Sequence, residues 1–299
     1  MRILSSLILS AAALIPLPSF AATLSASQIL TQFNGIITNQ FSSQSDVEGR
    51  LVTGELKLGA TFYNKPNGST SDFAAVNAIM IDSGNSMNVN NGGSVNFQSS
   101  NAGNFNLNGG GGSVVKETPA FTMADFTTPL NALQSQLGQL TTNSTINSTD
   151  PNKFTFNEAA ETSVFSLTTT QLQAAANIEF SGNASTIIIN VSGNSFNDYA
   201  NLNIANSLAS KIIWNFENAS SITLRGWAGT ILAGNATVSA GSAINGVLYA
   251  KNYTGNGELH SVAFAGVLPT APVPEPESYA MLLAGLGLMS LIVRCKKSV

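Results

Sequence analysis

The sequence is short of reactive and charged side chains. Of its 299 residues only one is Cys and one is His, and charged residues make up 9% of the chain against about 25% in an average domain. Cys295 lies five positions from the C-terminus with no second Cys to pair with, so disulfides and thiolate metal sites are excluded and the fold is held without cross-links. Sixteen acidic residues against twelve basic ones leave a net charge of −4. Arg2, Arg294, Lys296 and Lys297 sit at the two ends, so the stretch between them is more acidic still. No basic footprint for nucleic acid is present. No Gly-x-Ser-x-Gly elbow and no phosphate-cradling Gly-x-x-x-x-Gly-Lys occurs. With hydrophobic residues at 43% and mean hydropathy +0.16, the chain is also no charge-rich disordered polymer.

The ends are built for export. Met1-Arg2-Ile3, an apolar stretch from Leu4 to Leu17, and Pro18-Ser19-Phe20-Ala21-Ala22 have the basic start, short apolar core and small-residue exit of a secretory signal peptide. Residues 1–21 are expected to be cut between Ala21 and Ala22 after delivery to the Sec machinery; an uncleaved anchor helix is disfavoured by the shortness of the run. At the other end a proline-rich hinge leads into an apolar run from Tyr279 to Val293, and Arg294, Lys296 and Lys297 follow at once. The run is expected to form a transmembrane helix over 279–293. Its basic tail is a positive-inside stop-transfer signal, with the body outside the inner membrane.

The body, residues 22–270, is rich in Asn, Ser, Thr and Gly. Short β-type runs alternate with turn residues: Arg50 to Leu58, Ser94 to Phe97, Asn104 to Leu107, Thr186 to Val191, Lys211 to Phe216, Ser221 to Leu224, Gly229 to Leu232, Ala236 to Val238 and Gly246 to Ala250. This pattern predicts an all-β protein, a β-solenoid or a many-stranded sandwich, with the solenoid favoured. Asn and Gly accept the left-handed backbone angles of stacked turns. Alternation puts Val89, Phe105 and Leu107 on one face and the neighbouring amides on the other, while Gly109 to Gly112 reads either as a tight turn or as a flexible loop. Phe126, Leu130, Leu133, Leu137 and Leu140 recur at helical spacing, so one inserted or capping α-helix is expected over about 125–140, with Pro129 near its start. Further helical turns are expected over Ala26 to Phe33 and Thr170 to Ala176.

Chemistry has few candidates. Glu258 and His260 share a face if Gly257-Glu258-Leu259-His260 is a strand, giving a conceivable acid–base pair or a structural closure of the last turn. Asp46 with Glu48, and Glu158 with Glu161, are the acidic pairs that a polysaccharide hydrolase or lyase would need. Asp46, Glu48, Asp72 and Asp82 could offer oxygens to calcium, although no EF-hand loop or calcium repeat is present. Trp214 reads as core. Trp227, after Arg225-Gly226, reads as the better exposed platform for a sugar ring. No catalytic site, cofactor or resident metal is expected.

Two resemblances follow from particular residues. Val273-Pro274-Glu275-Pro276-Glu277, a short helix containing Gly285-Leu286-Gly287, and the Arg294 to Lys297 tail resemble the PEP-CTERM sorting signal of Gram-negative bacteria that make exopolysaccharide. That resemblance implies an exosortase-type processing protease acting near Pro274 to Pro276 within a 271–299 signal, against the plain alternative of an uncut tail anchor. Ser45 to Gly54, Ile188 to Gly193, Ile213 to Phe216, Gly229 to Ala233, Asn245 to Ala250 and Gly257 to His260 together resemble the choice-of-anchor A domain, with Gly234 in place of a frequent proline. Membership implies an adhesin-like β-helical domain at the cell surface or outside the cell. The expected function is structural and adhesive, in an exopolysaccharide matrix or biofilm, with extracellular polysaccharide or cell-surface components as partners. The alternative is an enzyme acting on that polysaccharide. Ice binding is a weaker third reading, because no regular Thr-x-Thr array is present.

Overall fold

The computed structural model describes residues 24–269, apart from 58, 117–120 and 199 and the side chains of 83, 85 and 101–103. The expected cleavage residues Ala21 and Ala22, the sorting residues Val273, Pro274, Glu275 and Pro276, the 279–293 helix and the tail residues Arg294, Lys296 and Lys297 lie outside them. Among the described residues no helix is long and apolar enough to cross a membrane.

The N-terminal arm comprises α1 (Ala26–Gln32), β1 (Phe33–Phe41), β2 (Arg50–Leu56), β3 (Thr61–Phe62), β4 (Val76–Val89), β5 (Val95–Leu107) and β6 (Val114–Lys116). A connecting stretch holds α2 (Ala124–Gly138), β7 (Thr145–Ile146) and β8 (Lys153–Thr155). The C-terminal arm then runs through β9 (Thr162–Thr168), α3 (Thr169–Ala174), β10 (Glu179–Ser181), β11 (Thr186–Ser192), β12 (Ser195–Asn197), α4 (Asn206–Ala209) and β13 (Ile212–Asn215). It finishes with β14 (Ser221–Leu224), β15 (Trp227–Ala228), β16 (Thr230–Ala240), β17 (Ile244–Asn245), β18 (Leu248–Tyr253) and β19 (Leu259–His260).

The strands stack in the order β6-β5-β4-β2-β1-β18-β16-β13-β11-β9, every neighbouring pair parallel. Parallel neighbours joined by short bends make the expected β-solenoid. Its rungs do not follow chain order: the first strand, β1, lies in the middle of the stack against β18, the last long strand. Each arm advances along the axis in the same direction, so residues 117–161 carry the chain from the β6 end back to the β9 end, nine strand spacings or about 43 Å away.

Each turn has three walls. The first holds the long run just given. The second pairs β12 with β14 and β14 with the latter half of β16, then passes through the ends of β18, β1, β2 and β4. The third stacks β15, β17 and β19 and is joined by the Val47 bridges to Leu259 and Phe62 to β3, β4 and β5. The far end is closed by β8 on β10 and by Phe154 and Phe156 against Phe165.

Alternation along the first wall explains the sequence of its strands. Ile187, Ile189 and Val191 of β11 point into the lumen with Ile212, Trp214, Ile231, Leu248 and Leu51. Ile188, Ile213, Leu232, Tyr249, Ile36 and Val52 point outward into a second core under α1 and α2. Both faces of this wall are buried, which is why β11 reads as a continuous apolar run and not as strict alternation.

The helix α2 lies along the stack. Phe126 meets Phe33 of β1, Asn131 accepts from the Tyr249 hydroxyl of β18, Gln134 donates to the Leu232 carbonyl of β16, and Leu137 accepts from Asn190 of β11. From Phe126 to Leu137 the helix rises about 16 Å, against about 19 Å for the four strand spacings it crosses. It covers a flank, as expected, and not an edge. Pro129, expected near the helix start where a missing N–H would be harmless, is instead the sixth helical residue, beyond the first turn, and deletes an N–H that the helix would use. Asp125 supports the start by accepting from the Thr122 amide at 2.6 Å. The short α1 and α3 begin with capping boxes, Ser25 with Gln28 and Thr168 with Gln171.

The seam between the arms is stitched by Asn34, which is 2% exposed. Its amide donates to the carbonyls of Gly246 and His260 and accepts from the Gly49 amide. Replacing Asn34 with Ala strands those three groups, and we expect a loss of about 3 kcal/mol in denaturant unfolding. Burial pushes the Tyr249 hydroxyl up from its ordinary value to about 12. A raised folded pKa means stability is complete below pH 10 and falls as pH rises from 10 towards 12, because the unfolded chain ionises first. The drop is on the order of 2 kcal/mol. Tyr249→Phe should flatten that part of an unfolding-versus-pH profile, at about 1 kcal/mol for the lost Asn131 bond.

Candidate functional site

The second wall faces outward as a polar band. Register places Ser195, Ser221, Thr237, Asn252, Gln40, Glu55, Met80 and Ser99 in one row across the stack, and Asn197, Thr223 and Ser239 in a parallel row. Beneath them Phe196, Ile222, Val238, Tyr253, Phe41, Leu56 and Ile81 fill the lumen. Neighbouring rungs are tied sideways: Asn252 donates to Thr237, Asn39 to Asn252 and Gln40 to Glu55, all within 2.9 Å. The rows named are mostly uncharged, and beside them Lys57 lies 3.3 Å from both Glu55 and Asp82. Those carboxylates raise the Lys57 pKa.

On the third wall the seam brings together residues far apart in the chain. The Val47 bridge to Leu259 sets Asp46 and Glu48 beside Glu258 and His260. His260 Nε2 is 2.9 Å from Glu258 and Nδ1 is 2.6 Å from Asn245. Glu48 takes Lys65 at 2.7 Å and the Ser261 amide at 2.9 Å; its charge raises the Lys65 pKa. Asp46 accepts from Asn64. Glu258 and His260 do share a face and touch, but both ring nitrogens are engaged, in keeping with the structural closure of the last turn, and the carboxylates around them are tied to Lys65, Asn64 and backbone. This is a stitched surface whose polar groups bond one another. Glu158 is elsewhere, accepting from the Asn183 amide. Among the described residues no three His, Cys, Asp or Glu side chains are grouped to hold a metal. Asp46, Glu48, Asp72 and Asp82 are thus not gathered into one ligand set.

The Asn-rich turns become amide ladders. Asn106 donates to Asn88 and Asn108 to Asn90 one rung up. Gly109, Gly110 and Gly111 all have positive φ, and the Gly92 amide donates to the Asn108 carbonyl, so the glycine run is a turn stacked on Asn91-Gly92.

Trp227 corrects the sequence reading. It is 3% exposed, packed edge-on against Trp214 with centroids 4.9 Å apart and against Phe196. The turn ends at Gly226; as the first residue of β15, opposite Ile244, Trp227 points into the lumen. It is no exposed sugar platform. Trp214 is core, as expected, and donates to the Ala228 carbonyl.

One concave feature had no signal in the sequence. Where α2 ends over β11 and β13, a groove of about 350 Å³ is lined by Asn190, Asn215, Glu217, Asn218, Ser166, Ser192 and Gln171. An apolar hollow of about 380 Å³, lined by Ile146, Pro151, Phe154 and Ala174, adjoins it through Leu167 and Gln171. Gly138, Gln171, Asn190 and Glu217 meet there because α2 ends over stacked strands that lie far apart in the chain, so no local motif marks them.

Residues 26–261 match the family described as "Putative Ice-binding-like adhesive domain". The chain belongs to the ice-binding-like adhesive domain family. Residues 272–297 match the PEP-CTERM protein-sorting motif, which marks the adhesive domain for export to the cell surface through exosortase-type machinery. Choice-of-anchor A is not the family named by the match, although an adhesin-like surface domain is common to both. Two solved structures are similar: an ice-binding protein from the Antarctic ascomycete Antarctomyces psychrotrophicus, at 14% identity over 81% of this chain and 97% of that one with a TM-score of 0.38. The other is a glycosylated ice-binding protein from an Arctic yeast, at 12% identity over 85% and 98% with a TM-score of 0.32. No curated protein matches. The adhesive-domain family is a non-enzymatic one.

The adhesive domain's Trp227 tests core against platform. Trp227→Ala should cost about 3–5 kcal/mol in thermal or denaturant unfolding, as for a large aromatic removed from a packed core. An exposed residue would change stability by less than about 0.5 kcal/mol.

Proposed function

We propose that the protein is a structural and adhesive component of an extracellular polysaccharide matrix or biofilm. It leaves the cell by the Sec route with cleavage between Ala21 and Ala22, is held in the inner membrane by a helix over 279–293, and is cut by an exosortase-type protease near Pro274 to Pro276. The observation that carries the reading is the second wall: rows of Ser, Thr, Asn and Gln, cross-tied between rungs over a sealed lumen, offer many fixed hydrogen-bonding groups and little charge. Such a surface suits weak, repeated contact with hydroxyl-rich polymers, each contact being worth only about 1 kcal/mol. The adhesive-domain match and the sorting motif are consistent with that site of action.

The test is to incubate the exported protein with the producer's own exopolysaccharide and follow co-sedimentation and reducing ends together. Retention above that of an unrelated secreted β-protein, without new reducing ends, is the expected result. Release of reducing ends that disappears in Glu48→Gln or Glu258→Gln would instead establish a hydrolase or lyase. The family description favours ice binding as a second reading. The irregular row from Ser195 to Ser99, interrupted by Glu55 and Met80, lacks the repeat such a surface would use; absence of recrystallisation inhibition by the exported protein is therefore expected.

A further inference from the structure

The groove at the end of α2 combines a fixed frame with unused polar groups. Asn215 is 2% exposed and fully engaged: it donates to the Gln134 carbonyl at 3.0 Å and to Asn190 at 2.9 Å, and accepts from Gln134 at 3.3 Å. Asn190, which also lines the groove, donates to the Leu137 carbonyl at 2.7 Å. The Glu217 carboxylate makes no hydrogen bond or ion pair among the described residues, nor does the Asn218 amide, which is exposed.

Glu217 is also electrostatically misplaced. It lies over Gly138, the last residue of α2, so closely that a Cβ there would come within 2.7 Å of Oε2. A helix C-terminus carries partial negative charge and disfavours a carboxylate by a few tenths of a kcal/mol or more. No Lys or Arg lines the groove to offset it. A volume of about 350 Å³ falls in the range of small-molecule sites, about 300–1,000 Å³.

We propose that this groove is a glycan subsite, which binds neutral hydroxyl-rich sugar units with Glu217 accepting from vicinal hydroxyls and Asn218 and Asn190 bracketing them. The assignment rests on the adhesive reading above and gives it one specific site beside the diffuse second wall. The single negative charge selects against uronate-rich polymers and for neutral ones.

The probes are cellotetraose, mannotetraose and tetragalacturonate, titrated into the exported protein while the side-chain amide NMR signals of Asn190 and Asn218 are followed. At least one neutral tetrasaccharide should move both signals, and tetragalacturonate should not. Glu217→Gln should weaken that binding fivefold or more, and Gly138→Ala, whose methyl displaces the carboxylate and narrows the groove, should do the same at unchanged folding. Equal binding by Glu217→Gln, silence with every neutral probe, or the same shifts on adding calcium chloride alone would overturn the assignment. If the groove is silent while the protein still co-sediments with its producer's polysaccharide, the subsite falls and the adhesive reading stands. If both fail, both fall.

Discussion

Everything in this fold depends on the parallel pairing of β1 with β18. That pair joins the start of the chain to its end in the middle of the stack, so neither arm is a complete solenoid. The close approach it requires is visible in its glycines. A side chain at Gly35 would strike Leu51 and Leu259, and one at Gly246 would collide with the Gly229 carbonyl. Asn34 supplies by side chain the hydrogen bonds that the backbone cannot make where β1 leaves α1 and the ladder shifts register. Contacts separated by more than 200 residues therefore hold the centre, and the cost of closing so long a loop is met by burial in two cores.

The same arrangement explains the position of the helix. A chain that winds away from the seam and must re-enter at the far end needs a return path, and an amphipathic helix laid on the outer face of the first wall supplies one while burying that face. Gln134, Asn190 and Asn215 form the polar link beneath it, with Gln134 also accepting from the Gly234 amide. Close approach of that strand to Tyr249 requires Gly234: any side chain there would meet the tyrosine ring. Gly234 thus has a packing reason in this chain.

Much of the fold was legible residue by residue. Ser221 to Leu224 is β14 as expected, Thr186 to Val191 lies within β11, and the helix expected over about 125–140 is α2 within two residues at either end, with Leu140 just beyond it. Asn-Gly clusters became stacked turns because their backbone demands are local. What was not legible depends on distance. Trp227 looked like a turn residue because Arg225-Gly226 is a turn, and only pairing with Ile244 turns its ring inward. Gly229 to Leu232 and Ala236 to Val238 read as two strands, whereas β16 runs on through a register shift that spans two walls. Asp46 and Glu48 met Glu258 and His260 only because the seam brings residue 47 to residue 259. The groove at Glu217 has the same origin.

The segment after β19 shows how a C-terminal tether would act on this body. From Ser261 it crosses the covered face of the first wall along the stack: the Phe264 amide donates to Leu30 of α1, Ala265 to Ser210, Val267 to the Thr186 hydroxyl, and the Pro269 carbonyl accepts from Gln136 of α2. Phe264 sinks into the core under the two helices. Tension applied beyond Pro269 is therefore shared among contacts on α1, α2 and the strands before it reaches β19, where it would otherwise peel the third wall one rung at a time. The strap leaves the second wall clear, and it reaches α2 at Gln136, one turn from the groove that Glu217 lines.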